Sequence, residues 1–170
     1  INTTGGEFFF FCFVKIKVFN MVFFHISSLP QYLYIHYPIC RHRCSYCDFN
    51  VLALPSLKEK LEDYNQRWIE TNFRHLSNLF KEEVLYKKTP LKTLYIGGGT
   101  PSFLGPKEIE SFLNNLKTVY DLTSLEEFTL EANPEDIDSQ KALAWKNLGV
   151  NRISLGVQTF LPNQLRRLER

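Results

Sequence analysis

Residues 91–101 read LKTLYIGGGTP. A β-rich run over 91–96 passes directly into Gly97-Gly98-Gly99-Thr100-Pro101, and a helix begins near Pro106, a favourable first-turn residue. The apolar face of that helix is Ile109, Phe112, Leu113, Leu116 and Val119, spaced three and four apart. The same strand–turn–helix unit recurs on both sides. Downstream, 128–130 belongs to a strand leading to Glu131-Ala132-Asn133-Pro134, and a helix over 139–148 stops at Gly149. A fourth strand within 150–157 closes at Gln158, and a last helix starts near Pro162 with its pattern still running at Arg170. Upstream, 33–37 is a short β-rich run ended by Pro38. A helical stretch then covers 56–88, where Ile69, Phe73, Leu76, Phe80 and Val84 share one face and Leu61, Tyr64 and Trp68 widen it. Its length leaves room for two helices.

Repeated strand–helix units predict an α/β fold with a parallel sheet and helices packed outside it. Such folds place the working site at the carboxyl ends of the strands. Every polar motif of the chain falls there: a cysteine-rich loop after the first strand, the glycine run after the second, Glu131 at the end of the third and Gln158 at the end of the fourth. One concave site built from all four is the expectation. Four strands do not close a barrel, so the fourth is expected to present an open apolar edge and the sequence reads as the front part of a longer protein.

The cysteine loop carries the chemistry. Cys40, Cys44 and Cys47 form Cys-x3-Cys-x2-Cys. Three thiolates hold a soft metal centre on three corners, whereas a structural zinc site takes four protein ligands. An iron–sulfur cluster on three cysteines keeps one iron open to a further ligand. Arg41, His42 and Arg43 put positive charge beside the thiols, which favours the thiolate. Tyr46 and Phe49 flank Cys47 and are expected to shield a cluster from water. The competing reading is a zinc module with His36 or His42 as fourth ligand.

Composition narrows the remaining classes. The chain has 170 residues, 44% hydrophobic and 22% charged, with net charge +2 from 20 basic and 18 acidic residues. No long basic run argues for a nucleic-acid groove. Four cysteines, three of them crowded, do not make a secreted disulfide framework, so a reducing compartment is expected, cytoplasmic first and mitochondrial or another organelle second. The start differs from the rest: four phenylalanines fill 8–11, and Phe13, Phe19, Phe23 and Phe24 follow, interrupted by Lys15 and Lys17. That stretch is too short and broken for a membrane span, which needs about 20 apolar residues. The chain opens on Ile1 and its one methionine is Met21, so 1–20 reads as a non-native extension, with a targeting or anchoring segment next and an alternating strand over 14–18 last. Cys12, isolated among the phenylalanines, reads as a small hydrophobe. The domain proper is expected over 31–170.

Each motif also has a plainer reading. The glycine triplet lets backbone approach a ligand closely, or simply makes a tight turn. No Gly-Lys-Ser/Thr follows it and it is no G-x-G-x-x-G, so neither phosphate loop nor dinucleotide fingerprint applies. Glu131 can accept from a ribose or an ammonium, or stand as a solvated carboxylate; Asn133-Pro134 makes the next turn. Gln158 contacts a ligand or caps a loop. Arg170 pairs with a carboxylate or, with Arg166 and Arg167, forms a charged helix surface. Tyr34 and His36 pack at the rim or meet a ligand.

Taken together in this order, the segments at 34–40 (YIHYPIC), the cysteine loop, 95–101 (YIGGGTP), 129–134 (TLEANP) and 151–158 (NRISLGVQ) resemble the radical S-adenosylmethionine proteins related to oxygen-independent coproporphyrinogen III oxidase. The resemblance runs from about Tyr32 to Arg170. It implies a partial (β/α)6 barrel, here about four βα units long. It implies a 4Fe–4S cluster on Cys40, Cys44 and Cys47, whose open iron chelates S-adenosylmethionine so that one electron cleaves the sulfonium to methionine and a 5′-deoxyadenosyl radical. It implies that Tyr34, Tyr46, Gly98, Gly99, Thr100, Glu131, Gln158 and Arg170 contact S-adenosylmethionine. The oxidases themselves look like Cys-x3-Cys-x2-Cys-x-Cys, whereas Asp48-Phe49 follows Cys47 here. That pattern is similar to the HemW branch, heme chaperones with heme as cargo, which leaves coproporphyrinogen decarboxylation as the alternative. The electron donor and heme acceptor are not named by any residue. Leu161 stands where the family has a polar helix-starting residue.

Overall fold

The computed structural model describes residues 9–11, 30–56, 60–79 and 88–170. The readings of Cys12, of an alternating strand at 14–18, of Met21, and of Phe80 and Val84 lie outside them. The main sheet has five strands: β1 (Phe9–Phe11), β2 (Tyr32–Tyr37), β3 (Thr93–Gly98), β4 (Glu127–Ala132) and β5 (Arg152–Leu155). Among the described residues four helices accompany them: α1 (Leu61–Leu79), α2 (Pro106–Val119), α3 (Ser139–Asn147) and α4 (Pro162–Arg167). The strand order is β1-β2-β3-β4-β5 and every neighbouring pair is parallel.

That order matters for function. The strands follow one another without a reversal, so this is the sheet of a barrel wall and not of a doubly wound sheet. Right-handed crossovers then put all the helices on one face. Alternation along each strand fills that face with Leu33, Ile35 and Tyr37, Leu94 and Ile96, Phe128 and Leu130, all buried. The alternate positions Tyr34, Tyr95, Thr129 and Arg152 lie side by side across four strands on the other face. The residues at 9–11 pair with β2, so this part of the N-terminal segment belongs to the sheet.

The helices follow their sequence signals. Ile109, Phe112, Leu113, Leu116 and Val119 of α2 are all buried. Trp68 of α1 stands 5.4 Å from the Phe112 ring and donates its indole N–H to the His36 carbonyl at 2.9 Å. Helix α3 is capped by Asp138, which accepts from the Lys141 N–H at 2.7 Å. It ends at Gly149 with φ +98, where Val150 N–H reaches back to the Trp145 carbonyl at 3.0 Å. Within the stretch expected to be helical over 56–88, α1 occupies Leu61–Leu79, and 57–59 and 80–87 lie outside the described residues; a 3-10 turn occupies Leu54–Ser56, and Thr89–Pro90 pairs with Tyr120–Asp121 as a small parallel ladder.

Two expectations are corrected at the carboxyl end. Strand β5 is four residues long, because after it Val157 N–H bonds Leu155 and Thr159 N–H bonds Val157, successive tight turns that break the ladder. Its Ile153 and Leu155 are 38% and 46% exposed, the open apolar edge of the sheet. The last helix stops at Arg167; Glu169 takes φ +57 and the Arg170 N–H closes on the Leu165 carbonyl at 2.9 Å. At the other end of α4, Leu161 offers no cap, and the Thr159 hydroxyl accepts from the Leu161 N–H at 3.2 Å instead.

Beneath the sheet, the Tyr37 hydroxyl donates to Asn65 Oδ1 at 2.7 Å, both residues being buried. Tyr37→Phe removes the donor and leaves the amide oxygen without it, so a urea titration is expected to show a loss of about 1–3 kcal/mol.

Candidate functional site

The chain's polar motifs meet in one cavity of about 250 Å³ at the carboxyl ends of β2–β5. Cys40, Cys44, Cys47 and Tyr46 from the first loop line it, with Gly98, Gly99 and Thr100 from the second, Glu131 and Asn133 from the third, and Gln158 and Arg170 from the fourth. Of the eight residues that the resemblance implies contact S-adenosylmethionine, Tyr34 is the one that does not line the cavity. It lies deeper on β2, stacked 5.7 Å from Tyr95, with its hydroxyl 3.2 Å from His36 Nδ1.

Local backbone geometry explains how the cysteine loop is held. Ile39–Cys40 and Leu52–Ala53 form a short parallel ladder, so residues 41–51 leave and return at adjacent points. Leu52 N–H donates to the Pro38 carbonyl at 2.8 Å, and Cys47 N–H closes a turn on the Cys44 carbonyl at 3.1 Å. His36 Nε2 meets the Asn50 carbonyl at 2.9 Å. A carbonyl only accepts, so Nε2 carries the proton, and in the neutral ring Nδ1 is left to accept from Tyr34. With both ring nitrogens engaged, His36 is not placed as a fourth metal ligand. His42 Nε2 lies 3.7 Å from the Cys44 sulfur.

The glycine triplet has a separate reason at two of its positions. Gly98 has φ +115, a conformation glycine adopts freely, and an added Cβ would stand 2.4 Å from the His36 ring. Gly99 packs on the cysteine loop's entry: a Cβ there would lie 2.6 Å from the Ile39 carbonyl oxygen. The Gly99 and Thr100 N–H groups bond the Tyr37 and Ile39 carbonyls at 2.7 Å each, so the second loop buttresses the first.

The electrostatics of the loop differ from the sequence expectation. Arg41 does not face the thiols; it pairs with Asp136 Oδ1 at 3.1 Å and lies over the Phe103 ring. Asp136 is almost wholly buried and also accepts from the Ser102 hydroxyl at 2.7 Å, which ties the first, second and third loops together. The guanidinium that acts favourably on Cys40 is that of Arg170. Burial pushes the Cys40 thiol above its ordinary range, and the Thr100 hydroxyl, 3.5 Å from its sulfur, opposes that push. Arg170 is no surface charge. It donates to Asn133 Oδ1 at 2.7 Å and approaches Glu135 at 3.8 Å, while its Nε is buried with no protein partner among the described residues. Tyr46 and Phe49 are 44% and 62% exposed, and so form the cavity's rim and not a lid over it.

Sequence reasoning missed three contributors. Asn133 was assigned to a turn, yet it accepts from Arg170 and points its amide at Thr100 Oγ1, 3.5 Å away. Asp136 and Tyr95 act through residues far off in the chain. Their sequence signal is only adjacency to a motif.

The donor set suits two ligands side by side. Three thiols on one wall are soft ligands for an iron–sulfur centre. A carboxylate, a guanidinium with an unpartnered N–H and a glycine-lined backbone edge on the other walls suit a small molecule bearing both an ammonium and a carboxylate. Among the described residues no helix is long and apolar enough to cross a membrane.

The model of the radical SAM superfamily matches residues 34–170. The heme chaperone HemW of Escherichia coli K12 is 39% identical over 142 residues, covering 83% of this chain and 35% of its own length. That of Lactococcus lactis is 37% identical over 141 residues, covering 83% and 34%. The chain thus spans about a third of the length of these curated relatives. Among solved structures, coproporphyrinogen III oxidase HemN of Escherichia coli, described as a radical SAM enzyme, superposes with a TM-score of 0.67 at 26% identity, over 82% of this chain and 30% of that one.

Proposed function

The chain belongs to the radical SAM superfamily, and we propose that it is the cluster-binding part of a heme chaperone. Cys40, Cys44 and Cys47 would hold a 4Fe–4S cluster, and the other walls of the cavity would take S-adenosylmethionine beside it. When bound, the cluster supplies the single electron on which this family's chemistry depends. The chain's own residues bind and orient. The Thr100 hydroxyl meets the Cys40 sulfur at 3.5 Å, and Arg170 offers its unpartnered Nε–H to a carboxylate. Glu131 accepts from the ligand's donors, Gly98 and Gly99 allow close approach, and Tyr46 and Gln158 close the sides. Heme is the cargo of the whole protein.

The observation that carries this reading is the convergence of four separate loops, with three thiols, Glu131 and Arg170, on one cavity. The chaperone branch is supported by Asp48-Phe49 after Cys47 and by the similarity to HemW. Anaerobic reconstitution is expected to give about four iron and about four sulfide per chain. Added S-adenosylmethionine is expected to change the cluster's electron paramagnetic resonance spectrum. A spectrum indifferent to S-adenosylmethionine would sink the proposal. The likeness to HemN favours a second reading, coproporphyrinogen decarboxylation. Turnover of that porphyrinogen would establish it, and heme binding without turnover would support the chaperone.

A further inference from the structure

The Glu131 carboxylate at the cavity floor is itself held from beneath. Tyr95 OH donates to Glu131 Oε1 at 2.6 Å, and the Gly98 N–H donates to Oε2 at 2.9 Å. Two neighbouring strands supply the members of this network, Tyr95 and Gly98 from β3 and Glu131 from β4. Gly97 makes it sterically possible: a Cβ there would stand 2.6 Å from Tyr95 Cε1 and 2.9 Å from Glu131 Cδ. The first glycine of the triplet is therefore the gap across which phenol and carboxylate meet. Burial, and then the Glu131 hydrogen bond, push the Tyr95 phenol above its ordinary range, so it stays a donor at neutral pH.

We infer that Tyr95 is a positioning residue for the S-adenosylmethionine site, fixing the Glu131 carboxylate in the one orientation that presents its remaining lone pairs to the ligand. One hydrogen bond on each oxygen stops rotation about the last side-chain bond and leaves acceptor capacity on both. The inference rests on the reading that Glu131 contacts S-adenosylmethionine. Tyr95 opens the YIGGGTP segment, but its partner is 36 residues away, so the sequence does not reveal the contact.

The test is a double-mutant cycle on anaerobically reconstituted protein: wild type, Tyr95→Phe, Glu131→Gln and the pair. Tyr95→Phe keeps the ring and its stacking with Tyr34, so iron and sulfide are expected to match wild type. Its dissociation constant for S-adenosylmethionine, measured by equilibrium dialysis, is expected to rise about tenfold, the low end for groups that orient a ligand-binding residue. At saturating ligand the cluster's resonance spectrum is expected to equal that of wild type. In the Glu131→Gln background, Tyr95→Phe is expected to add less than about twofold, because its route to the ligand is gone. An unchanged dissociation constant in Tyr95→Phe, or an equal loss in both backgrounds, overturns the positioning role and leaves the proposed function standing. Wild-type protein that holds its cluster and fails to bind S-adenosylmethionine overturns both.

Discussion

Cys44→Ala is expected to emerge from anaerobic reconstitution with iron and sulfide at least about tenfold below wild type, at an unchanged urea midpoint. The two halves of that result have different causes. Cluster retention needs all three sulfurs, because a ligand lost from a three-point attachment leaves two, and among the described residues no further cysteine lines the cavity. Fold retention follows from how the loop is anchored. The Ile39–Cys40 ladder, the His36–Asn50 bond and the Arg41–Asp136 pair hold the loop without using the Cys44 side chain. Cys44 is itself only half-buried, so truncation opens no core cavity. His42 is the nearest substitute ligand, 3.7 Å from the Cys44 sulfur. The double variant Cys44→Ala/His42→Ala therefore accompanies the single one. Full iron in the single variant and none in the double would hand the corner to His42 and end the three-sulfur assignment. Zinc at about one per chain without sulfide in wild type would end it as well.

The sequence revealed the parts whose signal is local. β-rich runs located β2, β3 and β4, the five apolar positions of α2 all proved buried, and Gly149 stopped α3 at its left-handed residue. The cysteines, the glycine run, Glu131 and Gln158 stood at strand ends, and the parallel order brought those ends together. Contacts between distant strands were not legible. The range of β3 depends on partners in β2 and β4, so it continues through Gly97 and Gly98, which a β-propensity reading ends at Ile96. The inward turn of Arg170 depends on Glu169 adopting positive φ, which no side chain announces. Arg41 looked like a thiolate partner because it adjoins Cys40, yet Asp136, 95 residues on, offers a buried carboxylate and wins it. A buried carboxylate gains far more from a guanidinium than an exposed neighbour does, which decides that competition.

Gly98→Ala is expected to lower the unfolding free energy by about 3–5 kcal/mol, measured by urea titration, and to reduce cluster loading with it. Two costs combine. At φ +115 a side chain strains the backbone whatever space surrounds it. Space is lacking too, since the new methyl would stand 2.4 Å from His36 Cε1 and Nδ1. His36 cannot swing away cheaply: it is 6% exposed, its Nε2 holds the Asn50 carbonyl and Tyr34 engages its Nδ1. Displacing the ring releases the exit of the cysteine loop, and moving residue 98 withdraws the N–H that steadies Glu131. Stability and cluster loading should therefore fall together. His36→Ala separates the costs. Combined with Gly98→Ala it removes the collision and keeps the strained backbone, so the pair should lose about 1–3 kcal/mol less than the two single losses added. Strict additivity would show that the ring and the glycine do not meet, and the account of this turn would fall with it.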